Sequence, residues 1–384
     1  MHILIAPNAF KNSLSANEAA IAIQTGLQDS RLDCSTECFA VGDGGDGTAA
    51  LIIEKCNGVY VPVMVEDPLG RPIHTTYGLI DNGFTAIIEM ANASGLRLVQ
   101  PGELNPLRTR SVGTGEMIKD AMNKGVRKMI IGMGGSATVD GGTGILQALG
   151  IKFLDAAGKS LTNLPESLVD LADIDISELD ARFFGIEVIV LCDVNNPLLG
   201  PSGAAAVFGP QKGASPADVL KLEKALQQFC KIVFNKIGSN IEDFKSGGTA
   251  GGAAAGLFAF LRAKLVNGID YFLELTDFET QLSQADVVIT GEGSIDEQTL
   301  DGKGPYGVAA KAKLKDVNVI GLAGMIPQSP SNELRLYFDV LLAIGHKPAS
   351  LPEAIAGTRE SLIRIGHTIG NLLSFDLHNN KQEI

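Results

Sequence analysis

The sequence has no uninterrupted apolar run of the roughly 18 residues that a membrane-spanning helix requires, which excludes a helical membrane protein. Basic residues are scarce, with 31 Lys and Arg against 44 Asp and Glu and a net charge of −13. Nucleic acids and acidic membranes are held by a basic stripe, so neither is expected as a partner. A small anionic substrate remains compatible with this charge, because a few local donors can hold it and distant charges are screened within about 10 Å. The five cysteines are Cys34, Cys38, Cys56, Cys192 and Cys230, too sparse and too few for a disulfide framework. No His or Cys cluster accompanies Cys34 and Cys38, which argues against zinc and for reduced, mostly buried thiols. The opening "MHILIAPN" carries no basic segment and only a short apolar one, so a cytoplasmic location is expected rather than secretion. Several catalytic signatures are missing too. There is no G-x-x-x-x-G-K-[ST] nucleotide loop and no G-x-S-x-G nucleophile elbow, and the five histidines form neither H-x-x-x-H nor H-E-x-x-H.

What the chain has in excess is glycine, 45 of 384 residues, against a usual share of about 7%. The glycines fall in short clusters that follow apolar, β-branched runs. These runs alternate with segments of helical period, the pattern of a mainly parallel sheet covered by helices, and the length suits two domains. "HILIA" reads as a strand, and Ser15 with Glu18 forms a capping box before "AAIAIQTGL", which makes residues 7–14 a strand-to-helix loop. Residues 59–90 differ. "DPLGRP" and "DNG" separate three short runs there and predict antiparallel hairpins. Ser215, Pro216 and Gly238 bracket an amphipathic helix bearing Val219, Leu222, Leu226, Phe229 and Val233. The pattern changes near Glu89, and buried parallel strands return near Asp286. The boundaries expected from this are 1–88 with 286–384 for one domain and 89–285 for an inserted one.

In open α/β sheets, ligands bind beyond the carboxyl ends of the strands. The polar residues that follow the expected strands are therefore the candidates: Asn8, Lys11, Asp43, Asp46, Ser136, Asp140, Asp193, Glu292 and Asp296. The loop "MGGSATVDGGTG" at 133–144 lacks bulky side chains, so its N–H groups can approach a polyanion and start a helix whose positive end faces it. Ser136 and Thr138 add hydroxyl donors; the same loop also reads as a tight connection and nothing more. "GDGGDG" at 42–47 fits G-x-G-x-x-G, but no convincing acidic residue follows about twenty positions on, so a nicotinamide site is poorly supported. Asp193 closes a very apolar run, where its carboxylate can accept a hydroxyl proton, hold Mg²⁺ or merely form an Asx turn. Lys11 and Lys303 lie on serine- or glycine-bearing loops suited to neutralising carboxylate or phosphate, and Glu292 and Asp296 can reach one metal from one loop.

In order along nearly the whole chain, "IAPNAFKNSLSANEAA", "VGDGGDGT", "EMANASGL", "SVGTGE", "IIGMGGSATVDGGTGILQALG", "CDVNNPLLGPSGAAAVFGPQKGA", "GTAGGAAAGL" and "ITGEGSIDEQTLDGKGP" resemble the first family of bacterial glycerate kinases. The resemblance implies ATP-dependent phosphorylation of D-glycerate, most often at the 2-hydroxyl to give 2-phosphoglycerate, with the 3-phosphate as the alternative product. It also implies two α/β domains, a Rossmann-like parallel-sheet domain built from both chain ends and an inserted second domain, for which a mixed sheet is expected. Asn8 and Ala9 stand where the family commonly has Asp and Ser, and Ser294 stands where an arginine is frequent. The resulting expectation places ATP phosphates on Gly134, Gly135, Ser136 and Thr138, with Gly291 and Gly293 contributing, and Mg²⁺ near Asp296 or Asp193. Lys11 and Ser13 hold the substrate carboxylate or the moving phosphoryl group, Asn8 and Asn195 contact substrate, and Asp193 orients the attacking hydroxyl. An NAD-dependent oxidoreductase and a non-catalytic sugar-acid sensor are the competing readings, and the assembly state stays open, a homodimer included.

Overall fold

The computed structural model describes residues 1–379. The chain forms two compact units, one from residues 1–43 and 269 onward, the other from Gly44–Gly268. Both are α/β.

In the first unit, five strands lie in the order Val340–Ala343, Asn318–Met325, Val287–Ser294, His2–Ile5 and Ser35–Cys38, every neighbouring pair parallel. Parallel strands need crossover helices, and helix Ala16–Gln28 supplies one, begun by the Ser15/Glu18 capping box. Its apolar face, with Ile23 and Leu27, packs with Ile3, Ile5, Ile289, Leu322, Leu362 and Ile369 into one core. The arrangement is Rossmann-like, and it brings the ends of His2–Ile5 and Val287–Ser294 side by side, with the Asn8 N–H donating to Gly291 O at 2.8 Å.

The second unit holds a six-stranded mixed sheet. Lys264–Asn267, Glu187–Cys192, Lys128–Gly132 and Thr85–Glu89 run parallel, and Pro72–Ile80 and Val59–Glu66 complete it as an antiparallel meander. The boundary expected at 88/89 thus falls at 43/44. The hairpin strands of 59–89 are hydrogen-bonded into this sheet, Thr85 opposite Lys128, so the change of pattern at Glu89 marks a switch from antiparallel to parallel pairing and not the start of a domain. At the other end the boundary is 268/269 and not 285/286. Ile269, Phe272 and Phe278 are buried within the first unit, and the Phe278 ring meets Phe39 edge-on at 5.1 Å.

Helix Pro216–Ile237 opens on a Ser215/Asp218 capping box and ends at Gly238, whose φ of +69° is the left-handed cap that glycine tolerates best. The rim strand Val59–Glu66 carries Pro62, which has no N–H, and the Glu66 N–H is taken by Glu116 Oε2 at 2.7 Å. Among the described residues no helix is long and apolar enough to cross a membrane, and the five cysteines are unbridged.

Candidate functional site

Strands Lys128–Gly132 and Glu187–Cys192 are parallel neighbours, with Gly132 opposite Leu191, so the glycine loop and Asp193 leave adjacent strand ends. The glycines there make room mainly for other backbone. The Gly134 N–H donates to Gly44 O at 3.1 Å, and a Cβ on Gly134 would lie 2.4 Å from Gly45 Cα. Further on, the loop presses against a second bare segment: a Cβ on Gly251, at φ +67°, would sit 2.0 Å from Thr138 O, and one on Gly256 would sit 2.2 Å from Gly141 O.

The helix that follows, Thr143–Ala148, does not present its positive end to a ligand. Asp140, wholly buried, accepts from Ser111 N (3.0 Å), Ser111 Oγ (2.6 Å), Gly142 N (3.0 Å) and Gly144 N (3.2 Å). The anion at that helix start belongs to the protein itself.

Under the loop lies Lys212, 3% exposed, on the turn Pro210–Lys212. Its Nζ donates to Ser136 Oγ at 2.9 Å and to Thr138 O at 2.7 Å. Burial pulls this ammonium down to about 7, against the opposing pull of the Asp140 and Asp193 carboxylates. Ser136 is itself buried, at 7% exposure, beside the exposed Gly135. The Thr138 hydroxyl is buried without a partner among the described residues. Asp193 is half-buried, and the backbone after it is anchored by Ser246 N to Asn195 O (3.2 Å) and Gly248 N to Asn196 O (2.9 Å).

A second acid lies in the same unit. Glu89 accepts from Gly47 N (2.7 Å) and Ala49 N (3.1 Å) at the start of helix Thr48–Lys55, and burial with the neighbouring Asp46 pushes it up to about 8. A cavity of about 170 Å³ adjoins it, lined in part by Tyr60, Tyr77, Asn92 and Arg97.

In the first unit the strand ends gather a buried acid pair. Asp43 accepts from Asn8 Nδ2 at 2.8 Å, and Glu292 is pushed up to about 7 by burial and by the Asp43 charge, with Lys303 and Lys11 opposing.

Phosphoryl transfer asks for a cation, hydroxyl or amide donors and a carboxylate around one anionic centre; in the second unit Ser136 and Asp193 follow neighbouring strand ends, and Lys212, on the turn Pro210–Lys212, bonds Ser136 and feels the Asp193 charge. A profile of the Glycerate kinase family matches residues 3–374. The chain belongs to that family. The glycerate kinase of Bacillus subtilis (strain 168) is 44% identical over 96% of this chain and 97% of its own. The glycerate 2-kinase of Escherichia coli (strain K12) is 40% identical over 99% of this chain and 100% of its own. A crystal structure from Salmonella typhimurium LT2, assigned as a glycerate kinase 2, superposes with a TM-score of 0.82 at 40% identity, covering 98% of this chain and 99% of that one. As a member of the glycerate kinase family, the chain is a phosphotransferase with an alcohol group as acceptor.

Against this family assignment, the residues singled out in the sequence divide into two groups. Ser136, Thr138, Gly135 and Asp193 lie at the two adjacent strand ends. Gly134 has its N–H committed to Gly44, and Gly291 and Gly293 lie inside strand Val287–Ser294 rather than in a loop, Gly291 packed against Leu322 O. Asn8 gives one amide proton to Asp43 and accepts from the Ala9 N–H with its carbonyl, which leaves it a second amide proton, while Ser13 donates its proton to Ile355 O at 2.7 Å. Asp296 caps the short helix Glu297–Asp301, its Oδ1 accepting from Gln298 N at 2.9 Å. Lys11 is exposed at its strand end, and Asn195 holds Ser246 through its backbone. Lys212 was the residue that motif reading passed over. The signal was there: across 194–217 it is the only charged side chain.

Proposed function

We propose that this chain transfers the γ-phosphoryl group of ATP to D-glycerate, at the 2-hydroxyl, giving 2-phosphoglycerate and ADP. The observation that carries the regiochemistry is the 40% identity, across essentially both chains, to the Escherichia coli protein named glycerate 2-kinase. Such a transfer depends on placement and charge neutralisation more than on covalent chemistry, and the Lys212–Ser136 contact beside the Asp193 strand end supports this reading. Ser136 and the exposed Gly135 face the nucleotide phosphates, with the Lys212 charge behind them. Asp193 orients the attacking hydroxyl and takes its proton late in the reaction. Lys11 keeps the role of an anion-holding cation.

Among the described residues no group of three or more Asp, Glu, His or Cys is placed to bind a metal. Mg²⁺ needs no such cage, because it retains waters and binds through one or two carboxylates plus substrate phosphates. Asp193, half-buried at its strand end, fits that demand, whereas Asp296 is engaged in capping. Bound as the nucleotide complex, Mg²⁺ would offset charge on the transferring phosphoryl group. The reaction belongs in the cytoplasm on this reading.

³¹P NMR of a mixture containing ATP, Mg²⁺ and D-glycerate tests the assignment directly. Growth of the 2-phosphoglycerate resonance with ADP is expected; a 3-phosphoglycerate resonance overturns the regiochemistry, and unchanged ATP overturns the reaction.

A further inference from the structure

An ammonium has three protons and no lone pair, so in the contact between Lys212 Nζ and Ser136 Oγ the hydroxyl oxygen must accept. Ser136 is then left with its own proton, and among the described residues no acceptor takes it. The side chain is part of a buried stack, with Lys212 bonded to it, Thr138 O holding a second ammonium proton, and the exposed Gly135 next in the chain. The charge behind the hydroxyl strengthens it as a donor.

We propose that Lys212 is a positioning residue of the phosphoryl-transfer site, which by occupying an acceptor position of Ser136 Oγ and placing its charge behind it directs that hydroxyl's proton to an anionic oxygen of a bound substrate. The proposal rests on the phosphotransfer reading above. That oxygen belongs either to the nucleotide phosphates or to the glycerate carboxylate; the two share one chemistry and are separated by which Michaelis constant responds. The arrangement depends on protonation. A neutral amine at 212 keeps two N–H groups, enough for Thr138 O and Ser136 Oγ, but no longer puts a positive charge behind the hydroxyl, so loss of the third proton weakens Ser136 as a donor to the ligand. The charged groups facing the stack are Asp140 and Asp193 toward Lys212, and Asp46, ion-paired to Arg97 at 2.6 Å, beside Gly135. Burial brings Lys212 down to about 7, so the weakening falls in an accessible range.

The test is steady-state kinetics of wild type, Ser136→Ala, Lys212→Met and the double variant, with KM for ATP and KM for glycerate measured separately from pH 6.5 to 8.5. One of the two constants is expected to rise roughly 10- to 100-fold in either single variant, the worth of a hydrogen bond to a charged group. The double variant should be little worse than the singles, because both remove the same donor. In wild type that constant should climb above pH 7, and in Ser136→Ala the climb should vanish. Multiplying effects in the double variant, or an unchanged pH climb in Ser136→Ala, overturns the proposal while wild-type turnover leaves the phosphotransfer reading standing. A wild type that consumes no ATP with glycerate overturns both. Should Lys212→Met fail to fold, the pH profiles of wild type and Ser136→Ala decide the matter alone.

Discussion

Lys212 should depress the stability of its own unit at neutral pH, and replacing it with methionine should show by how much. Its ammonium is held at about 7, against an ordinary value of 10.5. Below pH 7 the lysine is protonated in both folded and unfolded states, so its contribution is constant and includes the full cost of burying the charge. Between about 7 and 10.5 the unfolded chain binds the proton and the folded chain does not, so the folded state gains stability as pH rises. At about 1.4 kcal/mol per unit the gain across that window is at most roughly 4 to 5 kcal/mol. Lys212→Met has nothing to titrate and keeps the volume, at the cost of leaving Thr138 O without its bond. Calorimetric melting of both proteins from pH 6 to 10 isolates the effect, since every other titration appears in both curves. The melting temperature of wild type should climb relative to the variant by roughly 10 °C over that range for a unit of this size. Parallel curves would refute the reasoning, because they would mean that Lys212 keeps its ordinary affinity for protons in the folded state.

Four further outcomes follow from the same structure. Asp193→Asn should lower kcat by roughly 100- to 10,000-fold, read in a coupled ADP assay. Glu89→Gln should flatten a decline in stability with rising pH. Glu89 is raised to about 8 from 4.5, so over that interval the unfolded chain holds fewer protons than the folded one and wild type loses stability, as urea unfolding at pH 5 and pH 8 will show. Gly251→Ala should cost roughly 3 kcal/mol or more, because its Cβ collides with Thr138 O at a φ only glycine adopts easily; insoluble or low-melting protein is the expected readout. Removal of divalent metal with EDTA should abolish turnover without lowering the melting temperature, since no described cluster uses a metal to hold the fold.

Local chemistry in the sequence was the most legible part. The capping box at Ser15/Glu18, the start at Ser215 and Pro216 and the stop at Gly238 depend on residues close in sequence, and the structure has them at those positions. The alternation of buried strands with helices likewise carries the α/β class, and "DPLGRP" and "DNG" the antiparallel hairpins. What escaped is set by contacts distant in sequence. A glycine that admits a phosphate and one that admits another main chain look alike until the partner is known, and Gly134 and Gly251 proved to be of the second kind. Asp140 read as a loop acid, yet four donors from two segments enclose it. Lys212 belongs to no motif, and burial is invisible from composition, although its isolation in an uncharged stretch is a usable hint. The domain boundary at Glu89 was misplaced because a shift in pairing direction within one sheet imitates the end of a domain.

The rim strand Val59–Glu66 has a consequence for solubility. Alternation along the strand puts the main-chain nitrogens of Tyr60, Pro62, Met64 and Glu66 on the side away from the sheet; proline has no hydrogen there and Glu116 occupies the last of them. A stretch as greasy as "VYVPVMV" would otherwise be a template on which stray chains could zip up during synthesis or heating. Proline at 62 works as a missing tooth in that zipper, and Pro62→Thr would restore a main-chain donor on that open side.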